Sequence, residues 1–199
     1  MATYRRCVGL VCGVMVAGLT LPVASRQLPT SQIAIPLGAS PKVQFTDAAH
    51  GVLFDIDGDG ARDQVAWFAD PREAGWLAID KNHNGIIDDG SELIGSHFSP
   101  TAASGFHALY ELNPKVAEIG PGNATFDALL IWRDTNRDGI CQLGEVFPAS
   151  RVLAKVYLGW LVKRRLDANG NGSQAQGFAD FKDATGPPVE IYDVILATL

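Results

Sequence analysis

Apolar and polar positions alternate with two different periods along this chain, and the shorter period dominates. Trp76–Ile79, Leu129–Trp132, Val152–Lys163 and Glu190–Leu196 are runs rich in β-branched and aromatic residues, and each predicts a strand. Gln64-Val65-Ala66-Trp67-Phe68 also reads as β-prone. Helical spacing is confined to Phe106, Leu109 and Tyr110 within Phe106–Leu112, where Ser104 stands in the N-cap place. Trp67, Trp76, Trp132 and Trp160 are spread over four strand-like runs, which suits core residues better than a carbohydrate platform. The pattern predicts an α+β domain of short strands and hairpins, with one or two short helices.

The N-terminus follows another pattern. Arg5 and Arg6 precede an apolar run from Cys7 to Thr20, and Val23 and Ser25 occupy the positions of a cleavage site. That order is a secretory signal over residues 1–25, too short before Pro22 for a stable membrane span. Residues 26–41, rich in Pro, Ser and small side chains, read as a flexible leader, and residues 42–199 as a single domain. The expected location is secreted, periplasmic or cell-surface.

Charge sharpens the picture. The net charge of −6 becomes −8 once Arg5 and Arg6 are gone, and 16 of the 22 acids are Asp. An acidic balance excludes nucleic acid as a partner class, since that needs a basic face. It suits cations. Removal of residues 1–25 leaves Cys141 alone, so no intramolecular disulfide is available to an exported chain.

The acids recur in D-x-[DN]-x-[DN]-G, which appears four times, starting at Asp55, Asp80, Asp134 and Asp167. Oxygens at alternate positions 1, 3 and 5, a glycine turn at 6, a carbonyl at 7 and acids at 9 or 12 are what Ca²⁺ takes from such a loop. In the third loop the set is Asp134, Asn136, Asp138, the Ile140 carbonyl, Gln142 and Glu145. In the second it is Asp80, Asn82, Asn84, the Ile86 carbonyl and Asp88, with Glu92 one residue beyond the usual place. The first offers Asp55, Asp57, Asp59 and Asp63, but Ala66 at position 12, and its flanks predict that it joins strands. The fourth, Asp167-Ala168-Asn169-Gly170-Asn171-Gly172, lacks acids at 9 and 12 and reads as a hairpin turn. Two or three Ca²⁺ ions are therefore expected.

The run Leu53–Gly60, the Asp80 loop closing in Asp89-Gly90-Ser91-Glu92-Leu93-Ile94-Gly95, and Leu130–Asp134 with its loop through Glu145 stand in this order. Together with the closing strand Ile191–Leu196, they resemble a bacterial family of exported EF-hand-like calcium-loop proteins related to FG-GAP/VCBS-type repeats. The resemblance spans residues 50–199 and implies calcium binding and an extracytoplasmic location, without naming a substrate. Members often carry a further loop after the helix; here Asn113-Pro114-Lys115-Val116-Ala117-Glu118 has lost those ligands.

No nucleophile elbow, zinc-protease or phosphate-loop motif is present, and the histidines lack metal spacing. The sequence thus favours a calcium-stabilised surface or binding module, with a cell-surface protein or glycan as its partner class. A secreted hydrolase of glycan or peptide, scaffolded by calcium, is the alternative.

Overall fold

The computed structural model describes residues 30–38 and 42–199. The signal expected over residues 1–25 lies outside them. The fold is mainly β, with 35% strand against 11% helix, and its antiparallel sheet curls into a half-barrel. This corrects the α+β expectation: the β-branched and aromatic runs pair into one nine-stranded sheet, and only two short segments are α-helical. The strands are β1 (Ser31–Pro36), β2 (Val52–Phe54), β3 (Asp63–Val65), β4 (Ala74–Ala78), β5 (Glu118–Ile119), β6 (Leu130–Trp132), β7 (Val146–Pro148), β8 (Leu153–Tyr157), β9 (Leu161–Leu166), β10 (Gly172–Phe181) and β11 (Val189–Ile195). The helices are α1 (Gly105–Leu112) and α2 (Ala124–Ala128). None of the described helices is long and apolar enough to cross a membrane.

The main sheet has the order β5-β8-β10-β11-β1-β4-β6-β7, with β9 beside β10, while β2 and β3 form a separate hairpin. The leader expected over residues 26–41 is therefore corrected from Ser31 onward. β1 is buried along its whole length between β11 and β4. Small Ala34 lies opposite bulky Trp76, and Pro36 closes the strand, where a missing N–H costs least. The single strand expected over Val152–Lys163 divides at Gly159 into β8 and β9, which pair with successive halves of β10.

Alternation along the central strands sends side chains into two cores. Ile33, Ile35, Leu77 and Ile131 meet α1 and α2 through Phe106, Leu109 and Phe126 on one face. Ala34, Trp76, Ala78 and Trp132 meet the β2–β3 hairpin through Val52, Phe54 and Val65 on the other. Ser104 caps α1, its hydroxyl accepting the His107 N–H at 3.1 Å. Asn123 caps α2 in the same way, a signal the pattern reading passed over.

Asp193 on β11 is fully buried and accepts the Gly105 N–H and the Gln174 amide. Burial pushes its pKa up to about 6, against an ordinary 3.8. The folded state thus holds a proton that the unfolded chain releases, so this group's contribution to stability falls as pH rises from about 4 to 6, by about 3 kcal/mol in full. Asp193→Asn is expected to stabilise the fold at pH 7 by about 1–2 kcal/mol and to leave it nearly unchanged at pH 4. Urea unfolding of both proteins at the two pH values checks this; equal differences at both would refute it.

Candidate metal centre

Three of the four Asp/Asn loops have one architecture, and each closes a hairpin-like reversal. The first connects β2 to β3. The second follows β4 and returns at Leu93, which bridges Ala78. The third connects β6 to β7, with Trp132 opposite Val146. Strands flank the first and third, and a strand and an isolated bridge flank the second, where an EF-hand has helices.

Within each loop the first aspartate folds the backbone around itself. Asp134 accepts Asp138 N–H at 3.2 Å and Gly139 N–H at 2.8 Å. Asp80 accepts Asn84 N–H and Gly85 N–H at the same two distances. Asp55 accepts Asp59 N–H at 3.1 Å and Gly60 N–H at 2.9 Å. The sixth residue has positive φ each time (Gly60, Gly85 and Gly139), where a Cβ would strain the turn. His83 and Arg137 at position 4 adopt positive φ as well, and Gly58 does so in the first loop.

The closing acids converge despite their unequal spacing. Glu145 is buried and accepts Thr135 N–H at 2.7 Å and Gln142 N–H at 3.1 Å. Glu92 is also buried and accepts the matching groups, Lys81 N–H at 2.9 Å and Asp88 N–H at 3.0 Å. The extra residue in the second loop is absorbed without moving the carboxylate out of its role. Ile86 and Ile140 donate their N–H groups to the side chains of Asn84 and Asp138, the position-5 residues.

In the first loop three side-chain carboxylates gather closely enough to hold a cation between them. Asp55, Asp57 and Asp59 each offer an oxygen, all within 4.8 Å of one another, a group able to hold a metal. Asp63 opens β3 outside that group; burial, then the charges of Asp57, Asp59 and Asp55, push its pKa up. In the second loop the amides of Asn82 and Asn84 both meet Asp88 at 2.7 Å. In the third, those of Asn136 and Gln142 meet Asp138 at 2.8 and 2.6 Å. The Oδ1 atoms of Asn82, Asn84 and Asn136 accept the N–H groups two residues on, those of Asn84, Ile86 and Asp138, and an amide oxygen keeps a second lone pair able to meet a cation. Burial pushes Asp134 up, with the Glu145 charge adding to it. Among the described residues, no Lys, Arg or His forms an ion pair with Asp134, Glu145 or Glu92. Buried Asp134 and Glu145, beside neutral oxygen donors, fit a hard divalent ion, while Glu92 also feels the charge of Lys81.

The fourth loop has spent its polar groups elsewhere. The Asn169 and Asn171 amides donate to the carbonyls of Phe45 and Thr46, and Asn171 Oδ1 accepts Ala197 N–H. It is the turn between β9 and β10, tied to the distant segments around Phe45–Thr46 and Ala197 of the same chain.

The match to a family model described as the SPM domain covers residues 36–197, from the end of β1 through all three loops. The chain belongs to the SPM domain family. It is 32% identical over 155 residues to the iron-regulated protein FrpA of Neisseria meningitidis serogroup C, an alignment covering 74% of this chain and 13% of that protein. The chain therefore spans only a small part of the length of that curated relative.

Inside this SPM domain the loops are mechanically joined, a feature that position-by-position motif reading missed. Gly90 N–H donates to the Asp55 carbonyl at 2.7 Å. A Cβ on Gly90 would stand 1.8 Å from the Ile56 carbonyl oxygen. Gly139 packs on Leu53 and Val52 of β2, and the Cys141 sulfur faces the Ile87 N–H. The Asp89-Gly90 pair was visible in the sequence, but its neighbour across the fold was not. Gly90→Ala is expected to cost about 1–3 kcal/mol through the forced shift of Ile56. It should also weaken cation binding at the first two loops together while sparing the third. Thermal melts and calorimetric titration of the variant test this, and unchanged binding at all loops would refute it.

Proposed function

We propose that this SPM domain is an extracytoplasmic calcium-binding module, in which the loops at Asp55, Asp80 and Asp134 each hold one Ca²⁺ and the ions are chiefly structural. The observation that carries this reading is the shared loop geometry, with Glu92 and Glu145 brought to equivalent places across unequal spacings. The ligands would be Asp55, Asp57, Asp59 and Asp63; Asp80, Asn82, Asn84, Ile86, Asp88 and Glu92; and Asp134, Asn136, Asp138, Ile140, Gln142 and Glu145. Bound calcium would neutralise carboxylates that the fold crowds together.

The structural role follows from where the loops attach. They meet the sheet beside the Phe54–Trp132 aromatic core, and the position-8 residues Ile87 and Cys141 belong to that core. The ions would serve as disulfides do in other small exported domains. Protons compete for the same oxygens: Asp63 and Asp134 hold theirs above the ordinary range, so calcium affinity should fall as pH drops. The module would present a surface to a protein or glycan at the cell exterior.

The test is calorimetric calcium titration of the chelator-treated chain with a parallel thermal melt. Three sites and a large rise in melting temperature are expected. Absence of both heat and shift would reduce the loops to turns and end the proposal.

A further inference from the structure

Away from the loops, β9 differs from its surroundings in chemistry and in exposure. Its sequence, Leu161-Val162-Lys163-Arg164-Arg165-Leu166, carries three cations and no acid in a chain of net charge −6. It pairs with β10 along one edge, and no strand among the described residues pairs with the other. Leu161, Val162 and Leu166 are 60%, 75% and 81% exposed. The register with β10 shifts between Val162 and Arg165, which breaks strict alternation there, and apolar and cationic side chains interleave along the exposed strand.

Two hollows adjoin the C-terminal end of the strand. One, of about 400 Å³, is lined by Lys42, Phe45, Arg165 and Tyr192 and by two acids, Asp167 and Glu190. The other, of about 570 Å³, is lined by Arg164, Leu166, Gln174 and Ile195. Arg165 and Leu166 border both.

An open edge offers unpaired backbone N–H and C=O groups, and lysine and arginine on such an edge discourage the wrong partners. A second copy of β9 laid antiparallel on the first would set cation against cation, which is destabilising. The same charges favour a strand of opposite sign. Protection alone does not account for three exposed apolar side chains on six residues, because they invite contact.

We propose that β9 is a docking edge for an extended acidic polypeptide segment that adds to the sheet as a further strand. Its backbone would bond to the open edge, its carboxylates would meet Lys163, Arg164 and Arg165, and its apolar side chains would cover Leu161, Val162 and Leu166. Lys163 donates to Gln176 at 3.0 Å, which leaves Arg164 and Arg165 as the more available pair.

The test uses the full chain at fixed calcium and fluorescence anisotropy with a labelled peptide of alternating Glu and Val. A Lys-for-Glu version and a version interrupted by Pro serve as comparators. The acidic peptide is expected to bind at least about tenfold more tightly than either, and to weaken on the order of tenfold as salt rises past physiological strength. Arg164→Glu/Arg165→Glu, both at exposed positions, should reverse the preference to the lysine peptide with an unchanged circular dichroism spectrum and melt. Four results would each overturn the proposal: acidic binding that survives the double reversal, equal binding of the Pro-interrupted peptide, binding to phosphatidylglycerol vesicles alone, or dimerisation in sedimentation that the reversal abolishes. The first would point to calcium bridging at the Asp loops, which separates this proposal from the calcium reading.

Discussion

Asp134→Asn is expected to lower the melting temperature in calcium by roughly 3–10 °C while leaving the melt in chelator almost unmoved. Loops of extracellular modules bind Ca²⁺ at roughly 10⁻⁴–10⁻³ M. At about 10 mM calcium, one such site stabilises the fold by about 1.4–2.7 kcal/mol. Each kcal/mol moves the melting temperature of a chain this size by about 2–4 °C. Without calcium two effects oppose each other. Asparagine keeps one acceptor for the Asp138 and Gly139 N–H groups and loses the other. It also removes a charge that burial disfavours beside Glu145. The discriminating result is therefore the difference between the two melts, and an equal loss in both would mean that Asp134 acts only as a backbone cap.

Trp67→Ala should be the more damaging change, costing about 3–5 kcal/mol with or without calcium. Trp67 is fully buried, with ring centroids 5.3 Å from Trp76, 5.5 Å from Trp132, 5.6 Å from Phe54 and 6.2 Å from Phe68. Its backbone exchanges two further bonds with Thr46, accepting Thr46 N–H and donating to the Thr46 hydroxyl. The indole nitrogens of Trp67, Trp76 and Trp132 reach no hydrogen-bond acceptor among the described residues. The cluster is therefore held by burial and by edge-to-face ring contact rather than by polar bonds. Truncation leaves a cavity that its rigid neighbours fill poorly, and the supports of the first and third loops loosen with it. Urea unfolding followed by near-ultraviolet circular dichroism measures the effect. Trp67→Phe should cost markedly less, and a loss below about 1 kcal/mol for the alanine variant would show that the cluster does not anchor the sheet.

The parts of this protein that were legible in the sequence are those whose causes lie within a few residues. Ser104 capping α1, the positive-φ glycines of the Asp loops, the turn at Asn169-Gly170 and the burial of Trp67, Trp76 and Trp132 all follow from local rules. The grouping of Asp55, Asp57 and Asp59 was legible too, because alternate residues of a tight loop converge through the loop's own backbone, while Asp63 stands outside that group. The α+β expectation failed because one capped helix, read beside many short strands, says little about how far the strands join. Here β10 gathers β8, β9 and β11 into a single curved surface. The leader expected over residues 26–41 failed because Ser31–Pro36 lacks the bulky alternation of an ordinary strand. Its Ala34 is small to make room for Trp76, a partner far along the chain.

Sequence by itself therefore determined the oxygen-rich loops, the caps and turns, the acidic character and the aromatic core residues, since each is set by residue type and short spacing. Tertiary structure alone decided the rest. It placed β1 in the middle of the sheet, brought Glu92 into the role that Glu145 fills, locked Gly90 onto the Asp55–Ile56 backbone and left β9 with an open edge. Those outcomes depend on which distant backbone groups find each other when the sheet closes, and a linear pattern does not contain that pairing.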